Sequence, residues 1–215
     1  MIKQISFSGG GYINCKSVFY TAHDVLQHSM KFNFHTGINT LVGEIDTGIW
    51  GISYLLSMYN YDVNKKLFEI SPKSSLCATV DGVETPLEKL ANKCCYLDDK
   101  YYPLFSKKRK TVRKLIEAGI KKTHPDKTFE EICELCLLTP ERLDRAVYQV
   151  GNERFRAMAA IGYAHGKEVF CFPWHSRKMF DYYTNNILWL LDILEKLNVI
   201  VILPVGEPID KNCLN

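Results

Sequence analysis

Residues 37–52, Gly37-Ile38-Asn39-Thr40-Leu41-Val42-Gly43-Glu44-Ile45-Asp46-Thr47-Gly48-Ile49-Trp50-Gly51-Ile52, constrain this chain more than any other stretch. An apolar run closed by glycine, then a short turn, then a second glycine opening a helical pattern reads as buried strand, turn and helix. Gly43 and Gly48 stand at the spacing of the two glycines in the phosphate-binding loop G-x-x-x-x-G-K-[ST]. In that loop backbone N–H groups, a lysine and a hydroxyl on Mg²⁺ hold the phosphates. Here Ile49 occupies the lysine position and Trp50 the Ser/Thr position. The spacing therefore predicts the loop's backbone without its charge. The candidate nucleotide-site residues are Gly43, Asp46, Thr47, Gly48, Ile49 and Trp50.

Composition limits what such a loop can serve. At 215 residues with 47% apolar content, the chain has material for one large core or a core with a small insertion. A net charge of +3 is too small to argue for nucleic acid by itself. The eight cysteines are scattered, several in apolar contexts, which predicts reduced thiols in a cytoplasmic protein. The N-terminus carries no signal-peptide core. No apolar run nears the ~20 residues that cross a bilayer. The best, Ile187 to Leu194, is short and holds Asp192. Work at a membrane would need a second chain to provide the membrane part.

Along the chain, Ile2, Ile5 and Phe7 mark a first strand, with a turn predicted at Gly9-Gly10-Gly11. Residues 30–34 and 38–42 are further strands, and Ile52, Leu55, Leu56 and Tyr59 give the following helix one apolar face. Short strands are predicted at 67–70, 77–80 and 94–97, with a hairpin turn at Asp81-Gly82 and a short helix at 86–91. Residues 106–122 are basic and helical in period, and Thr128 with Glu131 reads as a capping box for a helix through Leu138. Another helical piece runs from Pro140 to about Tyr148. A small-residue helix at 153–163 stops at Gly166, and a strand at 168–172 follows. A long amphipathic helix through Leu197 and an apolar β-branched strand at 199–203, ended by Pro204, complete a βαβ unit.

This order resembles the nucleotide-binding domain of an ATP-binding cassette (ABC) ATPase, across nearly the whole chain. The sharpest local match is Gln149-Val150-Gly151-Asn152-Glu153-Arg154-Phe155-Arg156, which is similar to the family signature L-S-G-G-E/Q-x-x-R. In ABC dimers this segment faces the γ-phosphate held on the partner, as suits free N–H groups at a helix N-terminus. The signature-like residues are Gly151, Asn152, Glu153 and Arg154, with Val150 in place of the serine and Asn152 in place of the second glycine. Tyr20 is the candidate for adenine stacking. The resemblance implies an α/β fold: a P-loop NTPase-like ABC core with an N-terminal antiparallel β layer and a helical insertion. It divides the chain into residues 1–100 (β layer and P-loop-like core), 101–150 (helical subdomain) and 151–215 (signature-like helix and the C-terminal βαβ part).

The remaining family motifs depart from the pattern. The Walker B run Val169-Phe170-Cys171-Phe172 is followed by Pro173-Trp174, with no carboxylate for Mg²⁺ or for a base. Asp98 stands where the Q-loop glutamine belongs, and Leu203-Pro204-Val205-Gly206 where the switch histidine belongs. Phosphoryl transfer rests on the lysine, the metal and a water-orienting group. Their joint loss predicts a degenerate, non-hydrolysing ABC-like protein with no catalytic residue, no metal and no cofactor, weak ATP/Mg binding being the alternative. It would act as a homo- or hetero-dimer with an ABC-type ATPase, or beside a membrane subunit docked on the helical subdomain. The alternatives are an active ABC-type ATPase subunit of a transporter and a nucleic-acid-binding module using residues 107–122, which hold eight Lys/Arg against Glu117. Cys133-x-x-Cys136 lacks a matching second half for zinc and reads as a pair of buried thiols. His165 and His175, with Asp181 the nearest carboxylate, show no triad and read as ordinary surface or core histidines.

Overall fold

Strict alternation sets the first layer. Ile5 and Phe7 are fully buried while Ser6 and Ser8, which alternate with them, are half-exposed, the period of a strand with one face on a core. The computed structural model describes residues 1–10, 13–16, 21–22, 30–43, 49–62, 68–70, 75–98, 102–105, 110–123 and 127–209. Strand β1 (Gln4–Gly10) pairs antiparallel with β4 (Met30–His35) on one side and β7 (Ser75–Val80) on the other. The turn predicted from Gly9 onward does not start there. Gly9 lies opposite Met30 and Leu76, and Gly10 opposite Ser75, so both glycines extend the ladder. Asp81 and Gly82 both have positive φ (49° and 82°) and turn β7 into β8 (Val83–Glu84), as the D-G dipeptide predicts. A second antiparallel sheet joins β3 (Thr21–Ala22), β2 (Ile13–Lys16) and β6 (Phe68–Ile70) in that order.

The third sheet is parallel, in the order β5 (Gly37–Val42), β11 (Ile200–Val205), β10 (Val169–Cys171) and β9 (Cys94–Tyr96). Every residue of β9, β10 and β11 is buried, as strands covered on both faces must be. Helix α7 (Arg177–Lys196) connects β10 to the adjacent parallel β11, which gives the predicted βαβ unit. Its start is fixed by Ser176, whose Oγ accepts from the Met179 N–H at 3.2 Å.

Pro204 does not end β11, which runs on to Val205 opposite Val42. The reason lies in which side each residue faces. The Ile202 and Pro204 carbonyls accept from Phe172 and His175, so even-numbered residues face the β10 side. There β10 has already stopped, and a missing proline N–H costs no ladder bond. Helix α1 (Ile49–Asp62) also departs from its predicted single apolar face. Residues 51–58 are all buried, including Ser53 and Ser57, so α1 is a central helix packed against β9, β10, β11 and α2 (Leu87–Lys93).

The helices between β9 and β10 begin with α3 (Val112–Thr123). Next comes α4 (Phe129–Leu135), whose predicted capping box is present: Thr128 Oγ1 accepts from Glu131 N at 3.1 Å, and Glu131 Oε2 accepts from Thr128 N at 2.7 Å. The helix stops at Leu135 and not at Leu138, because Leu137 takes a left-handed backbone (φ 51°). From Pro140 only α5 (Pro140–Leu143) is α-helical, and 3-10 turns follow at 147–149 and 151–153. Helix α6 (Arg154–Ala164) then crosses the core, and Gly166 at φ +69° closes it as predicted. Helices α3 and α6 meet at Gly119, where a Cβ would lie 2.7 Å from the Ala164 carbonyl carbon.

Candidate functional site

Open sheets of parallel strands place ligands beyond the strands' C-terminal ends. At that edge β5 is followed by Gly43, whose N–H donates to the Val205 carbonyl at 2.9 Å. The next residues, 44–48, lie outside the described residues, and so do the candidates Asp46, Thr47 and Gly48, as well as Tyr20. Ile49 opens α1 and is half-buried. Trp50 follows in the first turn, its side chain outside the description.

The loop after β10 reaches the same edge. Phe172 N donates to the Ile202 carbonyl at 2.9 Å, and Pro173 and Trp174 follow half-buried. The Trp174 indole Nε1–H donates to the Gly43 carbonyl at 3.0 Å. Gly206 makes room for that ring, since a Cβ there would sit 3.1 Å from Trp174 Cζ2. His175 is pinned by its backbone between Pro204 and Gly206, at 3.1 and 3.0 Å. Its side chain is 3% exposed, stands edge-on to Phe172 at 6.5 Å, and among the described residues has no hydrogen-bond partner at either ring nitrogen. Burial pulls its pKa down to about 4, so the ring is neutral at pH 7. Asp181, its nearest carboxylate in sequence, is bonded to Arg177 Nε at 2.9 Å. Beside this edge the Leu97 N–H donates to the Cys171 carbonyl, and Tyr96 packs edge-on against Tyr54 of α1 at 5.4 Å.

The signature-like residues stand together at the start of α6. Gly151 takes φ +63°, which only glycine adopts at little cost. Gly151 and Asn152 are exposed. Glu153 turns the other way, 4% exposed. Its carboxylate accepts from Thr139 N at 3.1 Å and Thr139 Oγ1 at 2.9 Å, with Arg142 at 3.5 Å and Arg156 at 3.8 Å. Arg142 also donates to the Val150 carbonyl at 2.9 Å and to Asn152 Oδ1. One arginine and one buried carboxylate thus fix the turn from 150 to 153. Arg154 lies over the Phe155 ring at 5.5 Å.

The other sequence candidates serve packing. Cys133 and Cys136 are buried, and burial pushes their thiols up to about 11 and about 12. Cys95, buried between β9 and α6, rises to about 12 for the same reason. The His165 ring nitrogen Nε2 lies 3.0 Å from the Leu115 carbonyl, which can only accept, so Nε2 carries the proton. On α3 the cations Lys114, Lys121 and Lys122 are exposed, while Arg113 pairs with Asp144 at 3.0 Å. Sequence reading missed two features: the Trp174–Gly43 bond and the aromatic wall that α7 presents to the signature-like turn. Neither has a local signal, because each joins segments far apart in the chain.

No family model matches the sequence, and no curated protein matches it. Solved structures do. An ATP-binding cassette captured as a post-hydrolysis dimer with ADP and Pi superimposes with a TM-score of 0.58 at 13% identity, covering 97% of this chain and 90% of that one. The fold is that of an ATP-binding cassette. A bacterial Atm1-family ABC exporter with ATP bound gives a TM-score of 0.56 at 11% identity, over 96% of this chain and 35% of the exporter. The second cassette structure of a bacterial ABC transporter, also dimeric, gives 0.57 at 12% identity over 97% of this chain and 90% of that chain. The cassette fold accounts for the α/β class and for the mix of antiparallel and parallel sheets predicted above. No helix among the described residues of this chain is long and apolar enough to cross a membrane.

Proposed function

We propose that this cassette is a non-hydrolysing member of its fold class that works by contact with an ABC-type ATPase. The single observation that carries this reading is the Trp174 indole bonded to the Gly43 carbonyl. In cassettes the position of Trp174 carries the base that orients water, and Gly43 opens the phosphate loop. Here an aromatic ring ties the two together, and Pro173 occupies the metal-binding position beside it. Ile49 supplies no charge for a β/γ-phosphate. These residue types do not fit a magnesium–triphosphate pair.

The contact surface in this reading is the signature-like turn. Its geometry is held from inside the chain by Glu153 and Arg142, while Gly151 and Asn152 face outward. In trans, such a turn at a helix N-terminus suits a phosphate carried by a partner ATPase. A dimer partner and a membrane subunit docked on α3 to α5 belong to this same proposal.

Titration calorimetry with ATP and Mg²⁺ on the chain alone tests the first half. No heat at millimolar nucleotide is expected, and saturable heat with phosphate release overturns it. Reconstitution with an intact ABC ATPase tests the second half. A Gly151→Asp change is expected to lower the partner's ATPase rate at least tenfold, and an unchanged rate removes the contact reading.

A further inference from the structure

We propose that the exposed face of α7 pairs antiparallel with the same face of a second copy of this chain. Met179, Tyr182, Asn186 and Trp189 recur along α7 at intervals of three, four and three residues, the spacing of the a and d positions of a helix seam. The helix already buries Phe180, Ile187, Leu190, Leu191 and Leu194 in the core, so this stripe is a second, outward one. Tyr182 is 81% exposed, and Met179 and Trp189 are exposed with it. Tyrosine, tryptophan and methionine are residue types that protein interfaces enrich. Two of the rings are held in place before any partner arrives. Tyr183 meets Tyr182 edge-on at 4.8 Å and 90°, and the Arg156 guanidinium lies over the Trp189 ring at 5.7 Å. Rings so fixed lose little freedom on docking.

Charge chooses the occupant and its direction. Lys178 and Asp192 are exposed and flank the stripe on one side, one near each end. In an antiparallel pair with Met179 opposite Trp189 of the second copy, Tyr182 comes opposite Asn186 of the second copy, and every residue of the stripe is used. The same register brings Lys178 to Asp192 of the second copy, and twofold symmetry repeats that pair at the other end. A parallel pair would gather both Lys178 side chains at one end and both Asp192 side chains at the other, and neither ion pair would form. Tyr182 and Asn186 also complement each other, since a phenol O–H donates to an amide oxygen. Beside them lies a cleft of about 360 Å³ between residues 151–155 and α7, lined in part by Tyr182, Tyr183 and Asn186. The protruding Tyr182 of one copy thus faces the hollow beside Asn186 of the other. One surface carries both knob and socket, as a twofold interface requires. A seam of one helix buries less than the roughly 1,600 Å² of a standard interface, so the dimer is transient. The inference goes beyond the function proposed above: it requires neither nucleotide nor a partner ATPase.

Sedimentation velocity of the full chain without nucleotide, from micromolar to millimolar protein, tests it. A reversible, concentration-dependent dimer is expected. Tyr182→Ala should weaken it about tenfold or more. Lys178→Asp should weaken it severalfold by setting like charges against each other, and Lys178→Asp combined with Asp192→Lys should restore it. All three positions are exposed, so the variants keep the fold, which circular dichroism checks. A chain that stays monomeric at millimolar concentration overturns the proposal. So does a dimer that survives Tyr182→Ala unweakened, or one that the paired charge exchange fails to restore.

Discussion

The Trp174 indole N–H and the Gly43 carbonyl meet at 3.0 Å, joining residues 131 positions apart. The bond closes the C-terminal edge of the parallel sheet between β5 and the loop after β10. Gly206 is its second requirement, since any side chain there would press on the indole.

Trp174→Phe keeps most of the ring and removes the donor. The Gly43 carbonyl is half-buried, so a loss of about 1 kcal/mol is expected. For a chain of this size that is roughly 2–4 °C in Tm by calorimetric scanning. An unchanged Tm would mean that the bond contributes nothing to holding the edge together.

His175 predicts the pH dependence of stability. Its ordinary pKa is 6.5, and burial lowers it to about 4 in the folded chain. The unfolded chain therefore binds a proton between these values and the folded chain does not. Stability from this group is complete above about pH 6.5 and declines as pH falls to about 4, by up to ~3 kcal/mol. Urea unfolding of His175→Phe should show a flatter profile than the parent over that window. Parallel profiles would place the titration elsewhere.

Glu153 holds the turn on which the contact reading depends. Replacing it with alanine leaves Arg156, whose side chain is 12% exposed, without its carboxylate and frees Thr139. Breaking one side of such a buried pair costs about 3–5 kcal/mol. Glu153→Gln retains an acceptor for Thr139 and should lose less. Denaturant midpoints for the two variants would order them, and equal midpoints would show that the charge is irrelevant.

Gly119→Ala should separate α3 from α6. The added carbon would approach the Ala164 backbone to 2.7 Å, which is not the movable end of a side chain. Overpacking of this kind costs about 1–3 kcal/mol. Hydrogen exchange should quicken first in 112–123 and 154–164, and uniform exchange across the chain would contradict a local clash.

The sequence by itself determined the element order and the α/β class. Alternation in 4–8 and 30–34, the Asp81-Gly82 turn, the Thr128 capping box and the Gly166 stop are all local, and each formed where its residues predict. Where local signals failed, a neighbour decided. Gly9 stayed in the sheet because β4 and β7 both offered partners, and Gly10 because β7 did. Pro204 stayed in β11 because β10 ends before its missing N–H would be used. Absence of the loop lysine and of the Walker B carboxylates could be read from residue types alone, since charge is a property of one side chain. Only the tertiary structure showed what stands in their place. A hydrogen bond from Trp174 to Gly43, a buried imidazole with no hydrogen-bond partner among the described residues, and a cleft that Asn152 shares with two tyrosines of α7 depend on distances between segments that sequence spacing does not contain.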